Sequence, residues 1–458
     1  MTKSNKLVLV VSILASFVAF LDGSIINVAL PAMSEDLGGG LTIQQWIVDA
    51  YLLTLGSLIL LAGSVSDIFG RKKVLSAGLI GFGITSLLCA LAPTGTFLIA
   101  ARALQGAAGA LLVPSSLALI MSTFSGEAKG RAIGLWTAWT GMAFIIGPLL
   151  GGILVDTGSW RWIFAINILP IAVTLWLMRG LKNDPKPVKG SRVDWFGGGL
   201  GILALGGPVF ALIEQPKYGW GHPLIFVPMA VGLLAMAGFL WHERRATQPM
   251  LPLTLFSNRN FSVGNLATIA IYGGLSVATF LIVVFVQQVA GYSALQAGLS
   301  LVPITLIMFF LSGRFGSLAG RYGPRLFMSL GPFISAFGFL LLFGLDETID
   351  YWTQLFPGVV VFGFGLSVTV APLTMAILGS IEEKHSGVAS AVNNAVSRIA
   401  GLVAIALVGL VTGPELDVDG FQRGVIVMAL LVLIGGVISA IGIRNGQATN
   451  STVSQSSS

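Results

Sequence analysis

The chain has 458 residues, of which 55% are hydrophobic and only 10% charged, with a formal net charge of +6. Soluble domains carry about a quarter charged residues and need them on their surfaces, so a soluble enzyme is excluded. The mean hydropathy of +0.90 points instead to a polytopic membrane protein.

One crossing takes about 20 apolar residues. In chain order the first half offers runs at 7–30, 45–65, 74–92, 96–121, 132–154, 162–178 and 195–213. The second half offers 224–241, 263–289, 297–319, 327–345, 355–378, 388–412 and 425–443. Lys3 and Lys6 precede the first run as in a signal peptide, but no small-x-small cleavage site follows and the run carries Asp22 on to Pro31. It is read as a retained first span. Gly and Pro interrupt the runs at 195–213 and 224–241.

Lys and Arg set the orientation. With the first residues placed inside, 19 of the 25 basic residues fall in inward segments, including Arg71, Lys72, Lys73, Lys182, Lys186, Lys189, Arg192 and Lys384. Only Arg161, Lys217 and Arg423 fall outside, and Arg102, Arg314 and Arg398 lie within spans. Both ends are therefore expected in the cytoplasm, with an even number of crossings. The stretch 179–194 is Pro- and Lys-rich and reads as a solvated linker. The Ser-rich tail, 446–458, reads as disordered.

The string GSVSDIFG (63–70) returns as GSLAGRYG (316–323), each between two apolar runs on the inward side. PSSLA (114–118) and PLTMA (372–376) form a weaker second match. Two related membrane halves are the usual build of secondary transporters, with the site at their interface. The expected architecture is all-α: two six-helix bundles in pseudo-symmetric repeat plus two extra helices, fourteen spans in all. The corresponding units are 1–180, 181–260 for the linker and extra pair, and 261–445.

Charges inside lipid cost about 2.5–3.5 kcal/mol each on insertion scales. Asp22 lies about 12 Å deep in the first span, Arg102 about 9 Å deep in the fourth and Asp49 about 6 Å deep in the second, by helix rise. Asp22 reads as a protonatable carboxylate tuned by Arg102, holding a proton or a cationic substrate in turn. The alternative is an ion pair that only fixes packing. Asp49 joins them as a proton-coupling candidate, or sits in a wet vestibule. Gln105 shares the face of Arg102, and Asn394 precedes Arg398 by one turn near mid-membrane. These three are cavity candidates, or interhelical hydrogen-bonding groups. Glu214 closes the seventh run and reads as solvated.

No G-x-x-x-x-G-K-[ST] loop is present, and His222, His242 and His385 all lie at span ends. Neither ATP hydrolysis nor a buried metal site is expected, and no cofactor. An ion gradient remains, since one charge crossing 100 mV is worth about 2.3 kcal/mol.

LDGSIINVALP (21–31), GSVSDIFGRKK (63–73), RALQGAAGA (102–110) and GPLLGG (147–152) resemble the signature motifs of the major facilitator superfamily, and specifically its fourteen-span drug:proton antiporter branch. WRWIFAINILP (160–170) and GVASAVNNAVSRIAG (387–401) are similar to further patterns of that branch. The resemblance implies that Asp22 is linked to protons and cations and that Arg102 serves proton transfer. It implies that Gly63, Asp67, Gly70 and Arg71 form an inner gating loop, and that Gly147, Pro148, Gly151 and Gly152 form the antiporter motif. Asp67 is further expected to cap a helix of the other half that begins near Gly387. Gly320 stands where the first repeat has Asp67, so the gating charge is one-sided.

The function implied is export of lipophilic, often cationic, drugs or toxic compounds in exchange for protons, by a monomer in the cytoplasmic (inner) membrane that binds no nucleic acid. Two alternatives remain open: an exporter or facilitator of one specific metabolite, and a transport-inactive membrane sensor. No clustered nucleophile, base or metal set argues for an enzyme.

Overall fold

The computed structural model describes residues 3–181, 193–247, 249–382 and 385–445. Lys182, Lys186, Lys189, Arg192, Lys384 and the tail at 446–458 lie outside the described residues, so the linker and tail expectations go unanswered there.

Fourteen apolar helices follow one another, and no strand occurs among the described residues. They are α1 (Ser4–Leu37), α2 (Gly40–Phe69), α3 (Arg71–Ala90), α4 (Gly95–Thr123), α5 (Ala128–Thr157), α6 (Trp162–Met178) and α7 (Trp195–Tyr218). There follow α8 (Pro223–Arg245), α9 (Arg259–Gln288), α10 (Ala294–Tyr322), α11 (Pro324–Gly344), α12 (Tyr351–Leu378), α13 (Gly387–Thr412) and α14 (Val418–Gly442). All but α6 have the length and hydropathy of a membrane crossing; α6 is apolar but shorter. Every expected run is one of these helices.

Most helices outlast their apolar runs because polar residues close their ends. Thr94, Asp194, Asn258, Ser293, Asp350 and Asp417 each accept a hydrogen bond from the backbone at the start of the helix that follows, which satisfies amides that have no partner inside a helix. α1 continues past Pro31 to Leu37 and turns on Gly38, Gly39 and Gly40, all with positive φ. Gly70 and Gly323 end the two copies of the repeat with nearly the same backbone, φ 97° and 87°. Only glycine enters that region without strain, so the sequence repeat is a backbone repeat.

Alternate helices run in opposite directions, so one face of the molecule carries both the start of α1 and the end of α14. Toward the opposite face a single apolar core joins both halves, from Ile25, Leu30 and Ile47 to Val284, Phe362 and Phe421. Toward the face of the chain ends the core divides. One cluster holds Val11, Leu75, Leu79 and Ile120 of the first half, another Phe261, Met328, Ile377 and Val392 of the second. The halves are thus welded by a shared core at one face and have separate cores at the other.

Three contacts make the weld: α2 on α13, α5 on α10, and α1 on α9. Gln45 of α2 donates its Nε2 to the Ile405 carbonyl oxygen at 2.7 Å. Asp156 at the end of α5 accepts from the amides of Ala294 and Leu295 at 3.0 and 2.9 Å. The added pair hangs on α7, which packs against α2, α13 and α8. Glu214 is not simply solvated as expected: it is half-buried on α7 and accepts from Trp46 Nε1 at 2.8 Å.

Candidate functional site

Asp22 and Arg102 are sealed together inside the first half, each side chain 1% exposed. Arg102 Nη1 donates to Asp22 Oδ2 at 2.6 Å. Gln105 Nε2 and Asn167 Nδ2 each donate to Asp22 Oδ1 at 3.0 Å. Gln105 Nε2 also reaches Ser86 Oγ at 2.9 Å, and Gln105 Oε1 accepts from Arg102 Nη1 at 2.7 Å. Arg102 Nε donates to the Ile47 carbonyl oxygen at 3.1 Å, and its guanidinium lies 4.3 Å from the Tyr51 ring centre.

Five helices therefore meet at one carboxylate: α1 supplies it, α2, α3, α4 and α6 surround it. A buried pair is costly unless further hydrogen bonds satisfy its groups. Here Gln105 and Asn167 serve Asp22 Oδ1 and the Ile47 carbonyl oxygen serves Arg102 Nε, while Asn167 Oδ1 is left without a partner among the described residues. Every group aimed at Asp22 is a donor. A proton arriving on Asp22 must displace one of them, and a cationic guest must displace Arg102. The cluster can therefore convert a protonation event into a rearrangement of helix contacts.

The spacing of Arg102 and Gln105 places them on one face, as expected, but that face turns into the bundle. Gln105 is wholly buried and belongs to the Asp22 cluster, not to the cavity wall. Ser86, Tyr51 and Asn167 were missed by the sequence reading. Asn167 was detectable as the one amide in the run WRWIFAINILP.

Asp49 is also fully buried, yet neither of its oxygens has a partner. It shares the α2 face of Gln45 and Gly56, the two residues that meet α13. Arg398 of α13 is half-buried, and its guanidinium lies 5.6 Å from the ring centre of Phe20 on α1. Phe20 also packs on Trp136 and Phe144 of α5, ring centres 6.5 and 5.8 Å apart. Asn394 is half-buried beside Arg398, its carbonyl oxygen accepting from Ser397 Oγ.

The antiporter-like motif packs in two directions. A Cβ at Gly147 or Gly151 would collide with Ser24, Ile25 or Val28 of α1, and one at Gly152 with the backbone of Leu295. The Pro148 carbonyl oxygen lies against Gly298 of α10. Small residues here let α5 touch both halves at once. In the loop motif, Gly63 has open space around it and Gly70 supplies the positive φ. Asp67 and Arg71 form an ion pair at 3.3 Å, with the Asp67 side chain 62% exposed. The expected cap of Asp67 on the start of α13 is not made: Arg71 is its hydrogen-bond partner among the described residues.

The family model described as Major Facilitator Superfamily matches residues 12–405 and 315–454. The chain is 36% identical over 410 residues to the methylenomycin A resistance protein of Bacillus subtilis, covering 88% of this chain and 87% of that one. It is 32% identical to the puromycin resistance protein pur8 of Streptomyces alboniger, with 91% and 86% covered. It is 32% identical to the multidrug resistance protein Stp of Mycobacterium tuberculosis, with 90% and 76% covered. Among solved structures, a POT family transporter superposes with a TM-score of 0.71 at 12% identity, covering 95% of this chain and 94% of that one. A D-xylose-proton symporter superposes at 0.67 and 13%, with 97% and 99% covered; both likenesses concern the fold alone. Family match, relatives and helix count agree, and the chain belongs to the major facilitator superfamily as a multi-pass membrane transporter.

Proposed function

We propose that this protein is a proton-coupled exporter of lipophilic small molecules that works by alternating access. Its moving parts are the bundles α1–α6 and α9–α14, within 1–180 and 261–445, with α7 and α8 as an added pair. The reading places it in the cytoplasmic membrane as a monomer with both termini inside, so that the face with two separate cores fronts the cytoplasm. The observation that carries the proposal is the Asp22–Arg102 pair, buried in the membrane-spanning part and framed by the amides of Gln105 and Asn167. An ionisable group costly to bury is retained there among donors that a proton would displace.

Asp22 carries the proton, Arg102 is its counter-charge and Asp49 is the second carboxylate of the cycle. Asp67 and Arg71, between Gly63 and Gly70, close the inner face when the halves swing together. Gly147 to Gly152 let α5 pivot between α1 and α10. The printed names of the relatives, which concern methylenomycin A, puromycin and multidrug resistance, support an antibiotic-like cargo. The branch resemblance adds that the cargo is often cationic; a cation seated on Asp22 would have to replace Arg102.

Proteoliposomes carrying a pH gradient test this, loaded in turn with compounds from a lipophilic antibiotic panel. Wild-type protein is expected to move at least one compound in a manner an uncoupler abolishes. Asp22→Asn is expected to reconstitute normally but to lose that coupled flux. Undiminished flux in the variant removes Asp22 from the mechanism.

A further inference from the structure

We propose that the cargo-binding cavity selects molecules bearing an acidic group, with Arg398 as the anion ligand. The inference rests on the exporter reading and replaces its cationic cargo with an anionic one. It starts from a charge count. The spans α9 to α13 contain no Asp or Glu at all, yet they hold Arg314 and Arg398 well inside their ends. Neither Arg has a hydrogen bond or ion pair among the described residues. In the first half the compensating acid is already spent: Asp22 is neutralised by Arg102 and sealed from the cavity.

Arg398 sits half-buried on the seam between the halves. Its guanidinium lies 5.6 Å from the ring centre of Phe20 of the other half, and Phe20 in turn packs on Trp136 and Phe144. The titratable side chains near it are the phenols of Tyr51 and Tyr272, which supply no carboxylate. Asp49 shares the seam, but its oxygens reach no partner. It lies seven residues before Gly56, an α2 residue packed against Arg398 Cβ, or about 10 Å along the helix. A guanidinium offers five donors in a planar fork suited to a carboxylate, and an aromatic wall beside it accommodates a flat apolar body. An uncompensated cation in the membrane-spanning part repels a cationic guest and rewards an anionic one. A monoanion leaving in exchange for one entering proton moves two charges in the same electrical direction. An inside-negative potential therefore drives this exchange directly, at about 2.3 kcal/mol per charge per 100 mV.

Three matched probes test the inference on the purified full-length protein: pyrenebutyrate, its neutral methyl ester and pyrenebutylamine, with binding read by tryptophan-to-pyrene energy transfer. The acid is expected to bind about tenfold more tightly than the amine, the scale of a charge-assisted hydrogen bond to a carboxylate. Arg398→Gln is expected to erase that preference while leaving ester affinity unchanged, and Arg398→Lys to keep part of it. In proteoliposomes, a valinomycin-set potential is expected to speed pyrenebutyrate export. Equal or tighter binding of the amine overturns the proposal, as does an Arg398→Gln variant that loses the ester as well, since Arg398 would then be structural. Proton-dependent flux of ester or amine without any preference for the acid would sink this inference and leave the exporter reading standing. Absence of flux for all three probes and the antibiotic panel would sink the exporter reading, and the binding series would still decide the role of Arg398.

Discussion

The carboxylate of Asp156, at the last turn of α5, accepts a hydrogen bond from the backbone amide of Leu295 in the first turn of α10, at 2.9 Å. A side chain of one half thereby caps a helix of the other. The neighbouring amide of Ala294 binds the second oxygen at 3.0 Å, so the clasp is bidentate. It satisfies amides that a helix start always leaves free and places negative charge at the positive end of the helix dipole.

Asp156→Ala is therefore expected to loosen the welded face by about 1–2 kcal/mol, the usual worth of such a cap. A membrane-impermeant maleimide should label a cysteine placed at Ser293 several-fold faster in this background. Unchanged labelling would mean that the apolar core alone holds the halves.

Gly152 supplies a steric counterpart. A Cβ there would lie 2.7 Å from the Leu295 backbone nitrogen and 2.9 Å from the Ala294 carbonyl oxygen, closer than real contacts allow. Gly152→Leu should hold the welded face open and abolish transport while the protein still reaches the membrane. Gly199→Ala on α7, where a Cβ meets nothing within 4 Å, should transport normally. The same maleimide assay with a transport measurement separates the two.

Two buried carboxylates should respond oppositely to the same replacement. Asp22→Leu leaves Arg102 buried without a counter-charge and is expected to cost about 3–5 kcal/mol of stability. Asp49→Leu removes two oxygens that have no partner and is expected to raise stability by about 1–3 kcal/mol, the penalty of an unsatisfied buried group. Thermal unfolding of the two purified variants checks the sign of each. A destabilised Asp49→Leu protein would mean that the carboxylate has a partner in the resting state.

The span inventory was legible because hydropathy over about twenty residues is a local property, and each of the fourteen runs became a helix. The ends were less legible: Ser34, Glu35 and Asp36 look like a loop after Pro31 but continue α1, because the Gly40 carbonyl oxygen accepts from Ser34 Oγ and distant Trp160 and Arg161 donate to Asp36. Asp22 and Arg102 announced themselves as charges among apolar residues. Their supporting cast did not, since Ser86 and Asn167 become informative only when α3 and α6 are brought beside α1. Asp156 and Gly298 were silent for the same reason, as their partners lie far away in the chain. Asp67 was misplaced because Arg71, one turn on, takes its carboxylate first. Gln105 was assigned to the right helix face and the wrong compartment, for helical periodicity says which residues share a face and nothing about what that face meets.

The start of α12 carries a pH-sensitive element outside the spans. The hydroxyl and backbone amide of Thr353 hold the Asp350 carboxyl below the usual carboxylate range. A group depressed in the folded state contributes stability above its unfolded value and loses it as pH falls through the folded one. Hydrogen exchange at the Thr353 amide should therefore stay slow, relative to its intrinsic rate, at neutral pH and gain speed only in strong acid. Asp350→Ala should show the fast rate throughout.

The attachment of α7 has a mechanical corollary. It leans on α2 and α13 together, one from each half, and is pinned to the first by the Trp46–Glu214 bond. Any swing that parts α2 from α13 must drag α7 across one of the two surfaces. On the alternating-access proposal, the hairpin of α7 and α8 is a slide bearing laid along the seam that keeps lipid tails out of the gap on that flank.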